Sequence, residues 1–132
     1  MPITAFYAAL LAPLFIVLSV RTIRARGAAG IAVGDGGNPL LRRRIRVHAN
    51  FTEYVPLALV LMGLAESMNA SPALLHGTAI ALVIGRYGHA IGMSRDPEDL
   101  RFRIVGMMTT FAVLAVLAAT CLTRSLPSIW TG

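Results

Sequence analysis

The sequence predicts an all-α integral membrane protein, a bundle of four transmembrane helices, and three observations predict it. Apolar residues make up 56% of the 132 positions and charged residues only 14%, where soluble domains carry about 25% charged residues. The mean hydropathy is +0.70, and a chain this short has too little interior to hide that much apolar surface from water. All twelve basic residues are arginines, and they gather between the apolar runs instead of being scattered. A chain this apolar is neither disordered nor, with seven prolines and twelve glycines, a coiled coil.

A transmembrane helix needs about 20 mostly apolar residues. The first stretch, Ile3 to Val20, has no basic residue ahead of it and no clear small-x-small site after it. It therefore reads as a retained helix and not a cleaved leader. The connection that follows carries Arg21, Arg24, Arg26, Arg42, Arg43, Arg44 and Arg46. Its glycines include Gly34-Asp35-Gly36-Gly37, which lacks the lysine and spacing of a phosphate loop and reads as a turn. Span two runs from Val47 to Met68 and span three from Pro72 to Ile91, joined at Asn69 to Ser71 without an arginine. Arg95, Arg101 and Arg103 precede span four, Ile104 to Leu122. All four spans form a single membrane domain covering 1–132.

Four spans put the first and third connections on one side, and the positive-inside rule makes that side cytoplasmic. Both termini then face outward, with Trp130 as an aromatic anchor at the interface. Basic residues beside apolar runs orient a membrane protein, so nucleic acid is not expected as a partner. Cys121 is the single cysteine and forms no intrachain disulfide.

Ionisable groups inside hydrocarbon cost roughly 2.5–3.5 kcal/mol each at a helix centre, so they mark sites. In span two, Arg46, Asn50 and Glu53 fall at i, i+4, i+7 on one helical face, with His48 beside them and Pro56 one turn deeper. In span three, Arg86 and His89 are i, i+3 and share a face with Met93, while Gly85, Gly88 and Gly92 allow close helix packing. A cation beside the imidazole opposes metal binding, and no metal is expected. Arginines clamp carboxylates, a glutamate takes an ammonium, and an asparagine satisfies amides. The set suits a small anionic zwitterion. Glutathione meets that description, although spacing does not single it out.

These residues resemble a family. Four short spans, a basic first loop, Arg46-x3-Asn50-x2-Glu53-x2-Pro56 and Arg86-x2-His89 look like the MAPEG proteins, membrane-associated proteins in eicosanoid and glutathione metabolism, and most like their small bacterial inner-membrane branch. The resemblance implies a homotrimer with glutathione bound between neighbouring subunits as co-substrate. It places Arg46, His48, Asn50, Glu53, Arg86 and His89 at that ligand, with Arg24 a weaker match. It assigns Arg103 the catalytic role of stabilising the glutathione thiolate, since a guanidinium beside a thiol lowers its pKa from about 8.5.

Two positions depart from the catalytic pattern. Met93 stands where catalytic members commonly carry tyrosine, and Ile104 where the prostaglandin synthase branch has serine. Neither donates a hydrogen bond to a thiolate. Two readings therefore stand: a glutathione-dependent transferase or peroxidase acting on hydrophobic electrophiles or lipid hydroperoxides, and a non-catalytic glutathione- or lipid-binding protein of the same fold. A small multidrug transporter is a weaker third, because Arg46 and Asn50 favour the ionised form of Glu53 and oppose proton exchange.

Overall fold

The computed structural model describes residues 1–95, 97 and 99–131, with side chains as far as Pro127. The anchor expected at Trp130 lies outside the described side chains. Four α-helices account for the architecture: α1 (Pro2–Ala29), α2 (Pro39–Ser67), α3 (Pro72–Ser94) and α4 (Leu100–Thr131). No strand occurs among the described residues.

Local chemistry sets the helix ends. Proline opens α2 at Pro39 and α3 at Pro72, where its missing N–H costs nothing. The Asn38 and Ser71 side chains cap these helices by accepting from Leu41 N at 3.0 Å and Leu74 N at 3.3 Å. Gly30 closes α1 in the left-handed region, with φ of 65°. The α1–α2 turn is ordered. Gly34, Gly36 and Gly37 take positive φ, Asp35 accepts from Gly37 N at 2.9 Å, and Arg42 is paired with Asp35. Arg26 donates to Gly34 O at 2.8 Å.

All four helices outrun the spans read from hydropathy. Arg21, Arg24 and Arg26 ride on the end of α1, Arg42 to Arg46 on the start of α2, and Arg101 and Arg103 on the first turn of α4. Arginine lowers the hydropathy of a window without breaking a helix, so the loops are shorter than the polar segments. Helix α3 shows the same effect. Only α1, α2 and α4 are long and apolar enough to cross a membrane by composition, since α3 carries His76, Arg86 and His89.

Helices α1 and α4 each pack on α2 and α3 but not on each other, and α2 packs on α3. The cross-section is a rhombus with α2 and α3 on its short diagonal. Leu11, Val47, Ala58, Met62, Leu75, Ala79, Leu82 and Leu117 form the buried core. Large apolar side chains also face outward, among them Phe6, Ile16, Val60, Ile84 and Met108. That outer coat suits lipid and would be costly in water.

The α3–α4 contact runs through glycine. A Cβ on Gly106 would sit 2.6 Å from Gly85 O and 2.7 Å from the His89 Cβ, and one on Gly92 would sit 2.6 Å from the Phe102 Cβ. Gly88, expected to share this role, has only an ordinary neighbour at 3.8 Å. The tight points are Gly85, Gly92 and Gly106, and the last of these lies on a helix the packing argument did not reach.

Candidate functional site

The arginine-rich ends of α2, α3 and α4 enclose a cavity of about 440 Å3. Helix α2 lines it with Pro39, Arg42, Arg43, Arg46 and Asn50, α3 with His89 and Met93, and α4 with Arg103 and Met107. The close approach at Gly106 and Gly92 brings His89 and Arg103 to the same space.

Arg86 lies beneath the cavity and is 1% exposed. Its Nη2 donates to Asn50 Oδ1 at 2.5 Å and meets His89 Nδ1 at 3.4 Å. Its Nη1 donates to Thr110 Oγ1 at 3.3 Å and approaches Met107 Sδ at 3.8 Å. A guanidinium has no acceptor, so His89 Nδ1 must accept, which leaves the neutral ring's proton on Nε2. Asn50 turns its amide to Met107 Sδ at 3.3 Å, so each end of that side chain makes one bond here and keeps one further donor or acceptor position. Arg86 Nε has no hydrogen-bond partner. No carboxylate neutralises this buried cation among the described residues. The Arg86 fork thus braces Asn50 and His89, both of which reach the cavity.

The eight side chains singled out from the sequence separate into groups. Arg46, Asn50, His89 and Arg103 line the cavity, and Arg86 supports two of them. Glu53 lies beside the cavity's rim, 3.7 Å from Arg46, in a pair whose side chains are 58% and 46% exposed. The helical geometry explains the split. At 3.6 residues per turn, positions 46 and 53 nearly eclipse, and position 50 is rotated roughly 60° from 53, toward the interior. His48 faces α1, with Nε2 3.0 Å from Ser19 Oγ and its ring 5.4 Å from Phe15. Arg24 is exposed on α1, a helix that contributes none of the residues lining this cavity.

Met93 is almost buried and lines the cavity, whereas Ile104 is 58% exposed on the outer face. The two tyrosines nearest in sequence are engaged elsewhere. Tyr87 donates to Leu10 O at 3.1 Å, and Tyr54 packs edge-on against Phe111. The sequence reading passed over Arg42, Arg43 and Met107 as site residues, and Thr110 as the buried acceptor behind them. Their signal was present: Arg42, Arg46 and Asn50 recur every four residues, and Arg103, Met107 and Thr110 repeat the i, i+4, i+7 stripe on α4.

Comparison with known proteins decides the family. The MAPEG family profile matches residues 4–123. The chain belongs to the MAPEG family. It is 36% identical over 115 residues to "Inner membrane protein YecN" of Escherichia coli K12, covering 87% of this chain and 86% of that protein. The same figures hold for the protein of that name from the O6:H1 strain CFT073. With the outward apolar faces of its helices, this MAPEG protein is an integral membrane protein, and its relatives support an inner-membrane location.

Proposed function

We propose that this MAPEG protein is a glutathione-dependent transferase or peroxidase acting on hydrophobic electrophiles or lipid hydroperoxides at the inner membrane. The observation that carries the reading is the convergence of Arg46, Asn50, His89 and Arg103 on one cavity at the basic end of the bundle. In this reading Arg42, Arg43 and Arg46 hold the carboxylates of glutathione, and Asn50 and His89 meet its amides. Arg103 stabilises the thiolate, which attacks an apolar acceptor arriving from the lipid. Glu53, exposed beside Arg46, takes the ammonium. The reading includes assembly as a homotrimer with arginine-rich ends in the cytoplasm, in which the exposed Arg24 meets the ligand of a neighbouring subunit, while His48 supports the site from its contact with α1.

One observation favours a second reading, a glutathione- or lipid-binding protein without turnover. The cavity that Arg103 lines is also lined by Met93, whose thioether cannot donate to a thiolate. Calorimetry on detergent-purified protein tests binding, and conjugation of a model electrophile tests turnover. Arg103→Ala is expected to lower kcat about 10²–10³-fold, the usual cost of losing one charge-stabilising donor, with glutathione affinity changed far less. Equal turnover in that variant removes Arg103 from the chemistry. Binding without turnover in the wild type, with activity appearing in Met93→Tyr, selects the second reading. No glutathione binding by folded wild-type protein overturns both.

A further inference from the structure

Outside the cavity, the outer face of α3 and α4 carries a groove that the proposed chemistry does not use. Its deep part is an apolar hollow of about 230 Å3 between Ile84 and Gly88 on α3 and Phe102, Val105 and Thr109 on α4. Phe102 and Val105 also bound a second hollow of about 300 Å3, whose other wall is Arg101. Arg101 in turn bounds a third, of about 410 Å3, with Arg95 and Asp99. Shared walls make these one groove, apolar from Thr109 to Val105 and basic at Arg101. Along α4 that is eight residues, about 12 Å at the helical rise.

The guanidinium at the mouth is available. Arg95 is committed to Asp99 at 3.5 Å and lies 5.6 Å over the Phe102 ring. Asp99 Oδ1 accepts from the Arg101 backbone N–H at 3.1 Å. The Arg101 side chain contacts no partner among the described residues, and it is exposed. A half-apolar groove ending in an unpaired cation at the edge of a membrane protein has the polarity of an anionic amphiphile.

We propose that this groove holds an anionic phospholipid, one acyl chain lying between Gly88 and Val105 and the headgroup phosphate on Arg101. A second copy of the chain is a poorer occupant. The exposed Arg101 guanidinium complements an anionic headgroup, and the oligomeric state tests the second copy separately. Gly88 leaves the slot open, since a Cβ there would meet nothing closer than 3.8 Å.

Native mass spectrometry of the full-length protein released from detergent tests this with phosphatidylglycerol and phosphatidylcholine of matched chains. Wild type should retain phosphatidylglycerol about fivefold more than phosphatidylcholine, as one arginine at the headgroup level implies. Arg101→Gln, on an exposed side chain, should abolish that preference. Gly88→Leu should lower retention of both lipids by filling the slot, and Val105→Trp does the same from the other wall if the first variant folds poorly. Equal retention of the two lipids by wild type overturns the proposal, as does an unchanged preference in Arg101→Gln. A change of oligomeric state in Gly88→Leu, with lipid retention intact, assigns the groove to a protein contact and overturns it too. Neither Arg101 nor Gly88 lines the glutathione cavity, so these outcomes are separate from that reading.

Discussion

Arg86 concentrates the energetics of the site in one side chain. A cation this deep would be expelled or neutralised without acceptors, and Asn50 Oδ1, His89 Nδ1 and Thr110 Oγ1 supply them from three helices. Each acceptor is therefore tied to the fold, and two of them, Asn50 and His89, also line the cavity. Asn50→Leu leaves the guanidinium without its shortest partner and is expected to cost about 1–3 kcal/mol, read as a lower denaturation midpoint in detergent. Asn50→Asp keeps an acceptor at that place and should hold the midpoint near the wild-type value. Equal losses in both variants would mean that packing, and not the hydrogen bond, stabilises this point. Glu66 makes a similar tie at the opposite end of the bundle. Its carboxylate accepts from Ile3 N at 2.9 Å and from Thr4 N at 2.8 Å, capping α1 from the last turn of α2. Tyr7 and His76 meet nearby at 3.0 Å.

The helices themselves were legible because their signals are local. Proline and cap residues mark Pro39 and Pro72, and long apolar runs mark every span. The site was half legible. The i, i+4, i+7 stripe on α2 located Arg46 and Asn50 and the i, i+3 pair on α3 located His89, since a helix face follows from counting, while Arg103 came from the family resemblance. What counting cannot supply is which helix lies opposite. Gly106 and Met107 gain their roles from the α3–α4 approach, and the small difference in angle between Asn50 and Glu53 matters only once α3 is in place. The glycine contact carries its own prediction. Gly106→Ala forces a methyl against Gly85 O and His89 Cβ, at about 1–3 kcal/mol for overpacking, and should weaken glutathione binding as His89 shifts. Gly88→Ala has room, so its midpoint should stay level or rise. The α1–α2 turn responds to acid instead. The Arg42 guanidinium, with the Gly37 N–H, holds the Asp35 carboxyl below its ordinary 3.8. Its contribution is present above that value and is lost as pH falls through the lower folded-state value. Amide protection at Gly36 and Gly37 should be level from pH 7 to 5 and fall below about pH 3.8, with no such fall in Asp35→Asn.

For the molecule as a whole, the distribution of arginine is the basis of the proposed orientation. The turn before α2 and the first turn of α4 share the basic end, and the opposite end holds the Asn69–Ser71 connection with Glu66 and His76. In a Cys121→Ala background, a thiol at Val33, which is 89% exposed, should react with a membrane-impermeant reagent only from the cytoplasm. One at Ala73, on the first turn of α3, should react only from outside. The reverse pattern would invert the proposed topology and place the basic cavity on the outer side, against the proposed use of cytoplasmic glutathione.

The rhombic arrangement has a consequence for transport. Because α2 and α3 touch across the short diagonal, the described residues of the bundle form no open channel along its axis, and Arg86 lies buried behind Asn50 and His89 of the basic cavity. A solute entering from the basic end meets a fixed positive charge braced on three helices, with close-packed core beneath it. Permeation through one subunit would require that diagonal contact to open, separating Arg86 from Asn50 on the way. Under the proposed function, the bundle is a vestibule with a floor that takes its ligand in and returns it on the same side.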